Sequence, residues 1–161
     1  MITGPQFAAL DTSVLRRLKP NSDPIRVAID RAALSYPFGL PVSSFAEAAF
    51  GVHRLGVGAR GYADLLRRLR WLQRHADRRT LIWLDLNPAA ADVLGFLRAT
   101  IPPPRGHDPV AWVQDLSTAA ITWAAGYDIV TDNVRDFSLV APHLPARSHP
   151  FNVVHPSGVG L

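Results

Sequence analysis

Cysteine is absent from this chain of 161 residues. That excludes disulfides, zinc–thiolate centres and cysteine nucleophiles. Lysine occurs once, at Lys19, so the cations are almost all arginine. Glutamate also occurs once, at Glu47, and the other acids are all aspartates. Surface helices normally use glutamate freely, because it favours the helix and pairs with arginine one turn away. Here the single glutamate sits in the apolar stretch SSFAEAAFGV. No apolar run is long enough to span a bilayer, and MITGPQFAALDTS lacks a basic leader followed by a long apolar segment. A soluble cytoplasmic protein is the expectation.

What is present describes a compact fold. Hydrophobic residues make up 48% and charged ones 19%, which fits a globular protein with its own core. The formal charge of +4 favours polyanionic partners through counterion release. No repeat or linker divides the chain, so residues 1–161 are read as one domain.

The pattern alternates strands and helices. QFAALD reads as a buried strand running directly into the helix TSVLRRL. DPIRVAIDRAALSY opens with Asp23 as N-cap and Pro24 at the first helical position. FGLPVSS is a second strand feeding a helix from Phe45 to Leu55. YADLLRRLRWLQRHAD is amphipathic, with Leu65, Leu66, Leu69 and Leu72 on one face. LIWLDL is a third strand, and Asn87 with Pro88 starts the next helix. After the loop IPPPRGHDP, a long helix runs to Gly126, DIVT is a fourth strand, and FNVVHP reads as a fifth. Such alternation predicts an α/β fold, a three-layer sandwich with a mostly parallel sheet of four to five strands.

In such folds ligands collect beyond the carboxyl ends of the strands. Asp11 ends the first strand and Asp132 the fourth. Ser43 and Ser44 end the second, with Glu47 one helical turn later. Each acid has a structural reading too. Asp11 fits a helix N-cap, and Ser44 with Glu47 has the spacing of a capping box. Asp115 is harder to explain structurally, because aspartate in mid-helix competes for backbone hydrogen bonds. Its neighbours Ala111, Thr118, Ala119 and Thr122 form a small-residue stripe that admits a close approach.

Carboxylates gathered at one sheet end repel, at about 4 kcal/mol for two unit charges 4 Å apart at an effective dielectric near 20. Protonation or a bound cation relieves that. Oxygen-only ligands select Mg²⁺ or Mn²⁺, which grip phosphate oxygens and activate water. Together with the basic balance, this points to phosphodiester hydrolysis.

The ordered set ALDTSVL, VSSFAEAAFGV and QDLSTAAITWAAGYDIVTDNVRDF resembles the PIN-domain ribonucleases, in particular VapC-type toxins, from about Phe7 to Phe137. The resemblance implies a PIN-like fold and a Mg²⁺ site in which Mn²⁺ can substitute, built from Asp11, Glu47, Asp115 and an acid of TDNVRDF. It implies that Thr131 holds the loop, that a metal-activated water attacks an RNA phosphate, and that the chain forms a homodimer. It also implies a cognate VapB-like antitoxin peptide across the active-site groove. Asp132, directly after the strand, is the first choice as metal ligand with Asp11 and Asp115, while Glu47 completes the shell or orients the water. Ser13, Thr131, Asn133 and Asp136 are assigned supporting positions. Asp128, before the strand, belongs at the opposite sheet end and is left out.

Other features carry less. GVGARG, residues 56–61, matches a phosphate-loop pattern but follows a helix, which makes it a helix–helix connection. Arg67, Arg68, Arg70 and Arg74, interleaved with Trp71, fit RNA contact by charge and stacking, or a solvated helix face. His107, beside Asp108 in the loop before the Asp115 helix, is read either as titrating near the site or, more simply, as exposed. Two other functions compete: a PIN-like module that binds RNA or protein without cutting, and a phosphatase. An aspartyl phosphatase needs an acid two residues after Asp11, where this chain has Ser13.

Overall fold

The computed structural model describes residues 7–17, 24–32, 36–159 and 161. Its elements are β1 (Ala8–Leu10), α1 (Thr12–Leu15), α2 (Pro24–Ala32), β2 (Gly39–Pro41), α3 (Val42–Leu55), α4 (Tyr62–Asp77), β3 (Ile82–Leu84), α5 (Pro88–Thr100), α6 (Pro109–Ala124), β4 (Asp128–Val130), α7 (Val134–Val140) and β5 (Val153–Val154). The strands pair in the order β3-β2-β1-β4-β5, and every pairing is parallel. The expected α/β layering is present, with five strands and no antiparallel edge among the described residues. Asp23, the expected cap of α2, lies outside them.

Two apolar cores cover the sheet, as a parallel sheet requires. Ala8, Leu10, Leu40 and Val130 face α1, α2 and α4, where Leu15, Ile25, Ile29, Leu72 and Ala76 complete one core. Ala9 and Ile129 point the other way, into a core with Val93, Leu97, Trp112, Leu116, Ile121 and Phe137. The alternation of neighbouring residues between the two cores is the period-2 pleat of β structure.

The helix punctuation follows the sequence closely at α5 and α6. Asn87 accepts from the Ala90 N–H at 2.9 Å and Asp108 from the Val110 N–H at 2.9 Å, each with proline in the first turn. The boundary between β2 and α3 differs. Pro41 ends the strand and α3 starts at Val42, so Ser43 and Ser44 lie in its first turn instead of ending the strand. The capping box is therefore absent, because Pro41 is the N-cap residue and makes no side-chain cap bond. GVGARG is the helix–helix link expected, and Gly56, Gly58 and Gly61 all take positive φ there.

Gly39 is required by space, since its φ is ordinary. A Cβ added to it would lie 2.6 Å from Leu84 Cδ1 and 2.9 Å from Tyr127 Cδ1. Leu84 is buried in β3, and Tyr127 packs on Phe7 with ring centroids 5.4 Å apart, so neither side chain moves freely. Gly39→Ala is expected to cost about 1–3 kcal/mol by overpacking, read from urea midpoints at constant slope. An unchanged midpoint would show that β2 and β3 separate at little cost.

A carboxylate cluster at the sheet switch point

Strands β1 and β4 are neighbours, but the chain leaves them in opposite directions across the sheet, which opens a crevice at their carboxyl ends. Asp11 and Thr131 stand at that edge. The Asp11 N–H donates to the Val130 carbonyl at 3.0 Å, which continues the ladder one residue past β1. Its buried carboxylate accepts from Ser13 Oγ at 2.7 Å and from Thr131 Oγ1 at 2.8 Å, both on Oδ2. It also caps α1 through the Ser13 N–H at 3.4 Å. Capping and a place in the site are compatible, because a carboxylate has lone pairs to spare. Thr131 is fully buried, and its hydroxyl also accepts from the Asn133 N–H at 2.9 Å. Ser13 Oγ accepts from the Asp132 N–H at 3.0 Å. Two hydroxyls thus lock the loop after β4 onto the start of α1.

Asp115 faces the same crevice from α6. What approaches the small-residue stripe beside it is α3: Ser43 Oγ and Thr118 Oγ1 are 2.8 Å apart, and Gln114 Nε2 donates to the Ser43 carbonyl at 2.7 Å. This close contact brings α3, and with it Glu47, alongside Asp115. The Asp115 carboxyl is pushed up to about 7. Burial is the main cause, followed by the charges of Asp11, Asp136 and Glu47, while His107 pulls the other way. Asn133 Nδ2 donates to Asp115 Oδ2 at 3.4 Å.

The stretch after β4 sorts its side chains by geometry. Thr131 points inward and Asp132 outward, as alternation in extended chain requires. Asn133 points inward again and begins α7, which brings Asp136 onto the same face one turn later. Asp132 accordingly meets Arg17 at 2.7 Å and His155 at 3.5 Å, and is not among the charges acting on Asp115. Asp136 is buried and is among them. Asp136, and not the first-choice Asp132, is thus the acid of this stretch that joins the cluster. Burial draws its carboxyl upward, but hydrogen bonds from His107 and Asn133 and the charges of His107 and Arg135 outweigh that and hold it below the ordinary value.

His107, whose simpler reading was exposure, is instead paired at the cluster. Its Nε2 lies 2.7 Å from Asp136 Oδ2, and its ring meets Trp112 edge-on at 5.9 Å. A turn closed by the His107 N–H to the Pro104 carbonyl, at 3.0 Å, sets the ring in place. The partners are 29 residues apart, so no local pattern announces the pair.

The donor set suits a hard divalent cation: oxygen ligands only, with unrelieved like charge expressed in Asp115. Among the described residues no three histidine, aspartate or glutamate side chains stand close enough to hold a metal ion between them. Glu47 is turned to Arg16 at 2.8 Å and Asp132 to Arg17, so two consecutive arginines at the end of α1 occupy the outer acids. Mg²⁺ commonly takes only one or two carboxylates directly and keeps several waters, which an open cluster of this kind can provide.

No protein-family model matches the chain, and no curated protein matches it in sequence. Solved structures do match it in shape. A chain of VapBC2 from Rickettsia felis, bound to a promoter DNA fragment, aligns with TM-score 0.60 and 16% identity over 92% of this chain and 96% of that one. A chain of VapBC-5 from Mycobacterium tuberculosis, a member of the VapBC family of toxin–antitoxin systems, aligns with TM-score 0.57 and 21% identity over 94% and 99%. A chain of DNA-bound VapBC from Salmonella typhimurium gives TM-score 0.57 and 18% identity over 92% and 96%. Likeness at such identities concerns fold, and the fold of this chain is PIN-like, similar to that of VapBC toxin–antitoxin structures.

Proposed function

We propose that the chain is a Mg²⁺-dependent endoribonuclease, the toxin of a toxin–antitoxin pair. The observation that carries this reading is the gathering of Asp11, Asp115, Asp136 and Glu47 at the sheet's switch point, where partial burial and then the charges of the other three raise the half-buried Asp115 carboxyl. A bound Mg²⁺ or Mn²⁺ supplies a water of lowered pKa and a grip on phosphate oxygens. One or two of the Asp11, Asp115 and Asp136 carboxylates would hold the ion directly and the rest through its waters. Asp132, four residues before Asp136 and paired with Arg17, is given no direct contact with the ion in this proposal. Glu47, released from Arg16, orients the attacking water, and Arg16 and Arg17 are then free to meet substrate phosphates. Ser13, Thr131 and Asn133 keep Asp11 and Asp115 fixed through the hydrogen bonds above.

The partners follow the same reading. A groove of about 310 Å³ lies between α1, α3 and α4, walled by Leu15, Val52, Leu65, Leu69 and Leu72, with Arg16 and Glu47 on its lining. An antitoxin segment with apolar side chains would lie there and block the site. A homodimer and a cytoplasmic location belong to this proposal also. Among the described residues no helix is long and apolar enough to cross a membrane.

Cleavage of total cellular RNA by the purified chain tests the reading. Discrete fragments are expected with Mg²⁺ or Mn²⁺ and none with chelator. A second reading is a PIN-like module that binds RNA or protein without cutting, favoured by the ion pairs that engage Glu47 and Asp132. No cleavage by folded, antitoxin-free protein, together with no heat of Mg²⁺ binding, would select that module.

A further inference from the structure

Helix α4 carries its apolar face inward through Leu65, Leu69, Leu72 and Ala76. On another face it sets Arg67, Arg70 and Arg74 at helical spacing, with Arg78 at the C-cap. Successive members are three or four residues apart, and like charges at that distance destabilise a helix. An ordinary solvated face mixes signs to avoid this. Here relief is sparse: Asp64 pairs with Arg67, Arg70 meets the neutral Gln73 at 2.8 Å, and Asp77 at the helix end is the one further acid of α4. The positive field reaches inward. Burial is the main reason that His75 is lowered, and Arg78, Arg26 and Arg74 add to it against Asp30.

Arg67, Arg70 and Arg74 line a bowl of about 630 Å³ with Arg26, Asp64, Leu66, Arg68 and Trp71. Among the described residues, Arg67, Arg68, Arg70 and Arg74 thus share the bowl with one carboxylate, Asp64. The Nε of Arg68 is shielded from solvent and has no hydrogen-bond partner among the described residues, so a donor stands unused in the wall. Trp71 offers no free stacking platform, because its ring already carries the Arg26 guanidinium at 4.7 Å and the His75 ring at 4.0 Å. The stacking expected from the sequence is therefore replaced by charge. Arg68 also lines the groove that contains Glu47 and Arg16, so the bowl and that groove share a wall.

We propose that this bowl between α2 and α4 is a phosphate-backbone subsite for RNA, remote from the cleavage point, with Arg67, Arg68, Arg70 and Arg74 as its donors. The choice of RNA over another polyanion rests on the nuclease reading above. Guanidinium forks suit phosphate oxygens, and the absence of a stacking face makes the contact independent of base sequence.

The test separates this subsite from the chemistry. Binding of a fluorescent single-stranded RNA is followed by anisotropy on the full chain carrying Asp115→Asn, across a series of KCl concentrations. Adding Arg67→Gln, Arg70→Gln and Arg74→Gln together is expected to weaken binding about tenfold or more and to reduce the slope of log affinity against log salt by about 2. Glutamine keeps the helix propensity, and circular dichroism checks that α4 persists. Arg98→Gln on α5 is the control and should leave the slope unchanged. Equal affinity and slope in the triple variant would overturn the proposal. Tighter binding of polyglutamate than of RNA of equal charge would also overturn it, assigning the bowl to an acidic protein. Failure of the nuclease reading would show elsewhere, as uncut RNA with the unmodified chain.

Discussion

Asp115→Asn is expected to leave RNA uncut and, at the same time, to make the metal-free protein more stable at pH 7–8. Both effects follow from the repulsion that surrounds this carboxyl. Its pKa of about 7 lies above the unfolded value of 3.8, so the folded chain binds the proton more tightly than the unfolded chain does. The ionised form is the unfavourable one in the fold. Its cost is absent below the unfolded value, grows as pH rises between the two, and is complete above about 7. A shift of this size corresponds to about 4 kcal/mol at face value. Asp115 is partly open to solvent, which discounts the gain to about 1–2 kcal/mol, or a few degrees of melting temperature. Asparagine keeps the shape and still accepts from Asn133.

Thermal melts at pH 4.5 and pH 8, with and without Mg²⁺, check this. The variant should gain at pH 8 and much less at pH 4.5, and Mg²⁺ should stabilise the unmodified chain more than the variant. Loss of activity by about 10²–10³-fold is the scale for removing one preorganised charged group. Stability curves that run parallel at every pH would show that Asp115 feels no cluster. A large fall in melting temperature would make it structural.

The long amphipathic pattern of α4 and the Asx-Pro openings of α5 and α6 were legible from sequence, because each is decided within one or two turns by side chain to backbone bonds. The start of α3 was misplaced because Pro41 suits either a strand end or a helix start, and only the pairing of β2 with β3 decides between them. Asp11 and Asp115 were recognisable as site candidates from their positions at a strand end and within an apolar helix. The choice among Asp132, Asn133 and Asp136 was not, since it depends on where extended chain gives way to α7. The pairing of His107 with Asp136 was not legible either, because the partner lies on another element.

The three aspartates of YDIVTDNVRDF thus divide the work: Asp136 joins the cluster, Asp132 is tied to Arg17, and Asp128 lies at the other end of β4. Asp128 is held by Arg147, which donates to its Oδ1 at 2.9 Å with both side chains nearly sealed from solvent. The same guanidinium donates to the carbonyls of Tyr127 at 3.2 Å, His149 at 2.9 Å and Pro150 at 3.1 Å. Asp128 in turn accepts from the Asn152 N–H at 3.0 Å and from its Nδ2 at 2.9 Å. One ion pair therefore gathers residues 147–152 and delivers β5 to its place beside β4. Arg147→Ala leaves a buried carboxylate without its counter-charge and several carbonyls without donors, which costs about 3–5 kcal/mol. A fall of about 10 °C in melting temperature is expected by calorimetry. Arg147→Lys should recover only part of it, since an ammonium can meet Asp128 but cannot reach the carbonyls as a planar fork does. The paired change Arg147→Met with Asp128→Leu should recover more than either alone, because no charge is then left buried. This pair sits at the amino end of β4, away from Asp115, so each variant should match the unmodified chain in the proposed RNA cleavage at temperatures where it remains folded. A cleavage rate lost before the fold is lost would instead place the C-terminal strand in the site itself.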